Sequence, residues 1–534
     1  MATKPASVTS RPQRLLGEGM LAAAKRHPEK TALVVEGVDY NYRQLADASL
    51  RLAAALQKRG LETGDRVAIY MDNTWSCIIA IYGTLLAGGV FFIINPQTKA
   101  DKLLFYLEDS EAKILMSDSH LEKNFITAGR QATYLKTIIA SGNLSSGASL
   151  ENLVLENFAA VIEATKPLKT PLPVIQLDLA AFIYTSGSTG EPKAIMHTHQ
   201  SMVFAAWSLI EYIRLSESDR ILVVIPFAFD YGLYQLLMAM KLGATLIVER
   251  SFTFPAKIYQ RLEEQKVTVF PGVPTVFAMM IATHAKKKLH FPTITRVTNT
   301  AAALPAASVP NLQEMFPNAL IYKMYGLSEC KRVCYLEPEL IEQKPQSVGK
   351  AIPGTETFLL DPDGQPVATG DVGILHVRGP HVMVGYWKQP ELTSKMLKAG
   401  KHPGERILCS HDWFKADADG DLYFVGRSDD IIKTRGEKVS PTEVENVLHR
   451  TVPGVSEAVV VGVKDPLLGQ AILAYLVMDG TVASNEKQIK KICLANLENF
   501  MVPQQIIFLD EMPKTANGKI NRKLLLEQAE SVNP

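Results

Sequence analysis

Short apolar runs of strand length alternate with helix-period stretches through the first part of the chain. The runs are "DRVAIYM", "VFFIIN", "AKILMSD", "AAFIYT", "RILVVIPF", "ATLIVE" and "VTVFPGV", and between two of them Met202, Ala206, Leu209, Ile210 and Ile213 share one helical face. Because the runs are continuously apolar rather than alternating, they predict strands buried on both faces, as in a parallel sheet covered by helices. The first unit of this rhythm is a strand at "DRVAIYM", a helix from Trp75 to Ala87, a break at Gly88–Gly89 and a strand at "VFFIIN". The uncharged stretch Asn73 to Thr98 imitates a membrane span in length. Its paired glycines split it into a helix-length and a strand-length piece, which predicts a buried helix–strand pair.

After about Gly370 the texture changes to "GILHVRG", "DLYFVG" and the turns "DPDG" and "DADGD", which predict antiparallel strands. The last block has its own strands, "VSEAVVVGV", "AILAYLVM" and "QQIIFLD", with an amphipathic helix around Ile489, Ile492, Cys493 and Leu497. The predicted class is α/β, with a large N-terminal domain of doubly wound sheets over 1–427 that includes a β-rich subdomain from about residue 340. A small, mobile α+β domain follows over 428–534. A chain of 534 residues, 47% hydrophobic, suits several domains.

Charge narrows the partners. Lys and Arg number 56 against 55 for Asp and Glu, with no block of one sign, so neither nucleic acid nor a membrane surface is implied and a small molecule is. Cys77, Cys330, Cys334, Cys409 and Cys493 are scattered, without zinc spacing or disulfide density, and read as reduced thiols of a cytoplasmic protein. The opening "MATKPASVTSRPQRLL" lacks the apolar core of a signal peptide and reads as a loose arm.

The candidate chemistry lies in "YTSGSTGEPKAIMHTH", Tyr184 to His199, which follows an apolar strand. Its glycines allow close approach of backbone to ligand, and its N–H groups and hydroxyls suit phosphate oxygens. The spacing of Gly187, Gly190 and Lys193 does not fit a Walker A loop. With "YGLSEC", "VGKAIPG", "HDWFKADADGDLYFVGRSDDIIKTRGEKVSPTEVE" and "PKTANGKINRKLL" in this order, the chain resembles the adenylate-forming superfamily along nearly its whole length. That superfamily contains acyl-CoA synthetases, nonribosomal peptide synthetase adenylation domains and luciferases.

The resemblance implies ATP and Mg²⁺ as cofactors and a carboxylate that attacks the α-phosphate of ATP, a meeting of anions that calls for positive charge more than for a covalent catalyst. It assigns Thr185, Ser186, Gly187, Ser188, Thr189, Gly190 and Lys193 to the pyrophosphate end, Glu329 to Mg²⁺, and Lys519 to the carboxylate and α-phosphate; Thr185, Glu329 and Lys519 are the catalytic candidates. Ala301, Ala302, Ala303, Met324, Tyr325, Gly326, Leu327, Ser328 and Phe424 would surround the nucleotide, with Tyr325 stacked on adenine, Asp412 on the ribose hydroxyls and Arg427 near the domain junction. Asp429 would be the hinge about which the last domain turns. Ala301 and Ala302 replace glycines common in relatives, and "SHDWF" replaces the usual "TGDL".

The acid and the acceptor depend on "IPFAFDYGLYQ". Phe229 and Asp230 stand as in amino-acid-activating domains, where the Asp pairs with the α-ammonium group, so a small amino acid such as proline is expected. Alternatively, Asp230 is a helix cap. Phe229, Tyr231, Tyr234, Pro271, Asn299, Thr300, Met324 and Val333 would complete the acid pocket. The acceptor implied is the phosphopantetheine thiol of a separate carrier protein, with coenzyme A and a small, aromatic or fatty acid as the alternative. His197 and His199 read as structural, and Cys330 and Cys334 as packing residues.

Overall fold

In the computed structural model the described residues are 13–145, 153–169, 174–186, 192–300, 302–427, 430–434, 437–465, 468–480, 485–515 and 520–532. The chain divides into two compact units, each assembled from separate stretches. The first unit takes the chain up to Pro271 together with Ser328–Lys331 and Gly379–Ser394, and the second takes Gly272–Leu327, Arg332–Arg378 and Lys395 onward.

In the first unit the apolar runs form the predicted parallel strands. Arg66–Tyr70 pairs with Val90–Ile94 on one side and Ile114–Asp118 on the other, followed by Thr137–Ser141 and Val154–Asn157. The helix between the first two spans Trp75–Leu86, with Thr74 Oγ1 accepting the Cys77 N–H at 3.2 Å as its N-cap. Gly88 ends it at φ +85°, a left-handed turn that favours glycine. The core of this sheet runs from Ala68, Tyr70 and Phe92 through Leu115 and Phe125 to Phe182. Among the described residues, no helix is long and apolar enough to cross a membrane.

One edge of this eight-stranded sheet departs from the parallel pattern. Leu179–Ser186 is parallel to Val90–Ile94 but forms an antiparallel hairpin with Pro192–Thr198, and Gly385–Tyr386 pairs antiparallel with Pro192–Thr198. The Gly-rich stretch thus joins two hairpin strands, a geometry hidden in the sequence because its first strand is apolar on both sides like the others. A second sheet of the unit, with Val269–Gly272, Arg220–Val223, Thr245–Val248, Thr31–Val35 and Val38–Asn41 adjacent in that order, carries the helix Asp230–Leu242. Gly232 lets that helix seat closely, since a Cβ there would meet the Ile225 and Pro226 carbonyl oxygens at 2.5 Å each.

The second unit contains the antiparallel sheet expected from the texture change: Glu356–Leu360, Val372–Arg378, Leu397–Ala399, Arg406–Ala416 and Leu422–Arg427. Its "DADGD" turn is closed by Lys344, whose Nζ donates to Asp417, Asp419 and Asp421 at 2.8, 2.7 and 2.6 Å. Val455–Asp465, Gly469–Met478 and Gln505–Phe508 form the three-stranded sheet of the last block, with the helix Glu486–Asn496 beside it. This block has core on both faces of that sheet, Val460, Ile472, Ile489 and Cys493 on one and Val461, Leu473, Met512 and Leu525 on the other.

Gly232→Ala forces a methyl against two backbone carbonyls, and overpacking of this kind costs about 1–3 kcal/mol. We expect a lower urea midpoint for the variant; an unchanged midpoint would show that the helix can shift without penalty.

Candidate active site

The hairpin register places Thr185 opposite Lys193 at the edge of the eight-stranded sheet. Glu329, buried, stands beside that lysine with Lys193 Nζ 3.8 Å from its Oε1. Between them lies a residue that no sequence motif marks. The Tyr386 hydroxyl donates to Glu329 Oε1 at 2.6 Å and accepts from Lys193 Nζ at 3.2 Å, and the ammonium sits 4.4 Å from the phenol ring centre. Burial, then the adjacent Glu329 charge, pushes the Tyr386 pKa well up, so the phenol keeps its proton and remains a donor. Gly385 precedes it at φ +151°, where a Cβ would strike Thr393, whose Oγ1 accepts the Tyr386 N–H at 2.9 Å. Tyr386 carries no periodic signal, and only strand pairing across a long sequence separation brings it here. "GYW" between two turns is the trace it leaves in the sequence.

Thr185 Oγ1 is buried and makes no hydrogen bond among the described residues. An orphaned hydroxyl on the strand position opposite Lys193, whose ammonium meets Glu329, fits a Mg²⁺-bound phosphate, for which Glu329 and Thr185 would be oxygen donors and Lys193 would supply phosphate charge. The bound ion would neutralise charge on the phosphates. Gly187, Ser188, Thr189, Gly190, Ala301, Asp429 and Lys519 lie outside the described residues, as does the Ser186 side chain.

The first unit also holds part of the expected acid pocket. Asp230 is the first residue of its helix; Phe229 is the N-cap, and no side-chain hydrogen bond caps this end. Tyr231, Tyr234 and Pro271 are buried. The sequence leads one to expect a substrate ammonium against the Asp230 charge. Instead Lys331 Nζ lies 3.5 Å from Asp230 Oδ2 and 4.6 and 5.6 Å from the ring centres of Tyr234 and Tyr231. Lys331 is buried and at φ +63°, a left-handed conformation uncommon for a side chain of this size. Two consecutive cations in "ECKRVCY", flanked by apolar residues, are the signal in the sequence that a buried charge needs a partner. His197, also buried, has Nε2 2.9 Å from the Ser328 carbonyl oxygen, in keeping with a structural role.

In the second unit Tyr325, Asp412, Phe424 and Arg427 come together. The Tyr325 hydroxyl donates to Asp412 Oδ2, and Arg427 Nε lies 3.3 Å from Oδ1. Burial raises the Asp412 pKa, and Arg427 and Tyr325 oppose that rise by holding the charged form. The Tyr325 ring meets Phe414 edge-on at 4.8 Å and Phe424 at 6.1 Å, which fixes its plane. Gly326 and Leu327 are half-buried, and Ala302 and Ala303 are exposed. Asn299, Thr300, Met324 and Val333 are buried, with Arg332 Nη1 donating to Thr300 Oγ1 and Asn299 Nδ2 donating to the Ala302 carbonyl at 3.1 Å.

Residues 21–387 match the AMP-binding enzyme family, and residues 443–519 match the AMP-binding enzyme C-terminal domain. The chain belongs to the AMP-binding enzymes. It is 29% identical over 543 residues to a long-chain-fatty-acid–CoA ligase of Bacillus subtilis (strain 168), covering 97% of this chain and 95% of the relative. It is 28% identical over 507 residues to a dimodular nonribosomal peptide synthase of the same organism, covering 93% of this chain but 20% of that protein. A solved anthranilate CoA ligase in complex with anthranoyl-AMP superimposes with a TM-score of 0.88 at 25% identity, covering 97% of this chain and 98% of that one. As an AMP-binding enzyme this protein is a ligase that adenylates a carboxylic acid with ATP.

Tyr386→Phe removes the phenol from between the two charges and keeps the ring. A hydrogen bond to a charged group is worth about 1.5–3 kcal/mol, so ATP–pyrophosphate exchange should fall roughly 10- to 100-fold in kcat/KM for ATP, with little change in melting temperature. Exchange at the wild-type rate would remove Tyr386 from the arrangement.

Proposed function

We propose that this ligase activates a carboxylic acid without an α-ammonium group and transfers the acyl group from AMP to coenzyme A. The observation that carries the reading is the Asp230–Lys331 ion pair. A half-buried carboxylate beside a buried lysine is already matched by a cation, and this one has it in the polypeptide. An amino acid would have to displace Lys331 from Asp230, or bring its ammonium beside that of Lys331, and like charges at that range repel. The acceptor is supported by relatives matched along nearly their whole length, which are CoA ligases. Five free, buried cysteines suit a reducing, cytoplasmic setting.

In the first half-reaction an acid oxygen forms a bond to the α-phosphorus and pyrophosphate leaves; Lys193, with Glu329 and Tyr386 beside it, faces the departing charge. In the second, the thiol sulfur attacks the acyl carbon and AMP leaves. We assign Lys519 to the α-phosphate in the first step and Asp429 to the hinge that removes Lys519 before the second. Asp412 holds the ribose, and Tyr325 stacks on adenine.

The second reading is a freestanding amino-acid–carrier-protein ligase, with proline as the specific acid, and the match to a nonribosomal peptide synthase favours it. Pyrophosphate exchange across a panel of proline, other α-amino acids, benzoate, short aliphatic acids and fatty acids separates the two. We expect every amino acid to fall behind its deaminated analogue, and thioester to form with coenzyme A rather than with a phosphopantetheinylated carrier. Faster exchange with proline than with any acid lacking the amine would overturn the proposal in favour of the carrier reading.

Lys519→Ala should lower exchange by about 10²- to 10³-fold, the scale of one lost electrostatic donor, while thioester formation from supplied acyl-adenylate persists. Equal loss in both half-reactions would contradict the assignment.

A further inference from the structure

Asp72, Asp118 and His120 belong to none of the sites described above. Asp72 lies two residues beyond the strand Arg66–Tyr70, Asp118 is the last residue of Ile114–Asp118, and His120 follows it by two. The chain leaves Arg66–Tyr70 for Val90–Ile94 on one side and returns to Ile114–Asp118 on the other. The carboxyl ends of these strands therefore part where strand order reverses, the place where open α/β sheets bind ligands. A cavity of about 360 Å³ opens there, lined by Ser76, Asp118, His120, Ser141 and Arg250 among others. One ligand atom from each of Asp72, Asp118 and His120 lies within 4.8 Å of the others.

Asp118 is the buried member of the group and lines the cavity. It is only 7% exposed, yet among the described residues no cation pairs with it, and its carboxylate accepts one hydrogen bond, from the Asp72 N–H to Oδ2 at 2.9 Å. The acidic turn at Asp417, Asp419 and Asp421 is the contrast, because there Lys344 supplies the cation from the chain itself.

We propose that Asp72, Asp118 and His120 hold a divalent metal ion through two carboxylate oxygens and one imidazole nitrogen, with water in the cavity completing the shell. A set that includes imidazole suits Zn²⁺ or Mn²⁺ better than Ca²⁺ or Mg²⁺, which favour oxygen alone. Two side chains now approach Asp72, His120 Nε2 at 3.3 Å and the Arg250 guanidinium Nη1 at 3.6 Å. The imidazole joins the metal as its neutral form, and the half-exposed Arg250 keeps its pair with Glu36 at 2.5 Å when it leaves Asp72. The ion ties the segment after one strand to the end of its neighbour, at the start of the helix Trp75–Leu86. The buried cysteines offer it no competing thiolate.

The test is calorimetric titration of the full chain with ZnCl₂ and then MnCl₂, with melting curves in parallel. One equivalent of zinc should bind and raise the melting temperature, and Asp118→Asn and His120→Gln should each weaken binding by about ten-fold or more. Asp118→Asn keeps an oxygen that can accept the Asp72 N–H and no longer buries a charge, so the metal-free variant should melt no lower than the parent at neutral pH. His120 is half-exposed, so its replacement keeps the question answerable should the first variant fold poorly. Pyrophosphate exchange with Mg·ATP should be unchanged in both. No zinc binding up to about millimolar concentration, or binding that neither variant weakens, would overturn the site.

Discussion

The contact among Lys193, Tyr386 and Glu329 holds an ammonium, a phenol and a buried carboxylate together beside the hairpin of the eight-stranded sheet. With the phenol bonded to both, the lysine and the carboxylate stand 3.8 Å apart, an ion pair without a direct hydrogen bond. The eight-stranded sheet has to present its hairpin edge to a strand from far along the chain for this to occur, and Gly385 has to take a backbone angle that few other residues accept. The return of Ser328–Lys331 and Gly379–Ser394 to the first unit brings Glu329 and Tyr386 to Lys193.

Much of this is legible from residues alone. The apolar runs locate the parallel strands, the paired glycines divide the false membrane span, and the motif order locates Lys193, Glu329, Asp412 and Tyr325. What the sequence hides is non-local. An antiparallel hairpin and a parallel crossover look alike when both strands are buried, so the edge at Pro192–Thr198 does not announce itself. Tyr386 acquires its role through strand pairing rather than periodicity.

Lys331 illustrates a different limit. Asp230 in the sequence calls for a cation, and the substrate is the natural place to look for it, because nothing in a linear sequence says that a residue on another segment will turn through a left-handed angle to provide it. A single unconsidered side chain therefore changes the inferred substrate class while the reaction class stays as it was. The sequence raises the question of a partner for Asp230; only geometry identifies it.

The piecewise assembly of the first unit has a consequence for biosynthesis. Its main stretch ends at Pro271, but the strand that covers the hairpin edge is Gly385–Tyr386, within the last segment, Gly379–Ser394. At ordinary translation rates the ribosome needs roughly 6–25 s to make the intervening chain. For that interval Pro192–Thr198 is an uncovered sheet edge with unpaired N–H and C=O groups, the kind of template on which nascent chains aggregate. The protein's period of greatest exposure thus falls during its own synthesis, and a chaperone that shields strand edges would act on it then.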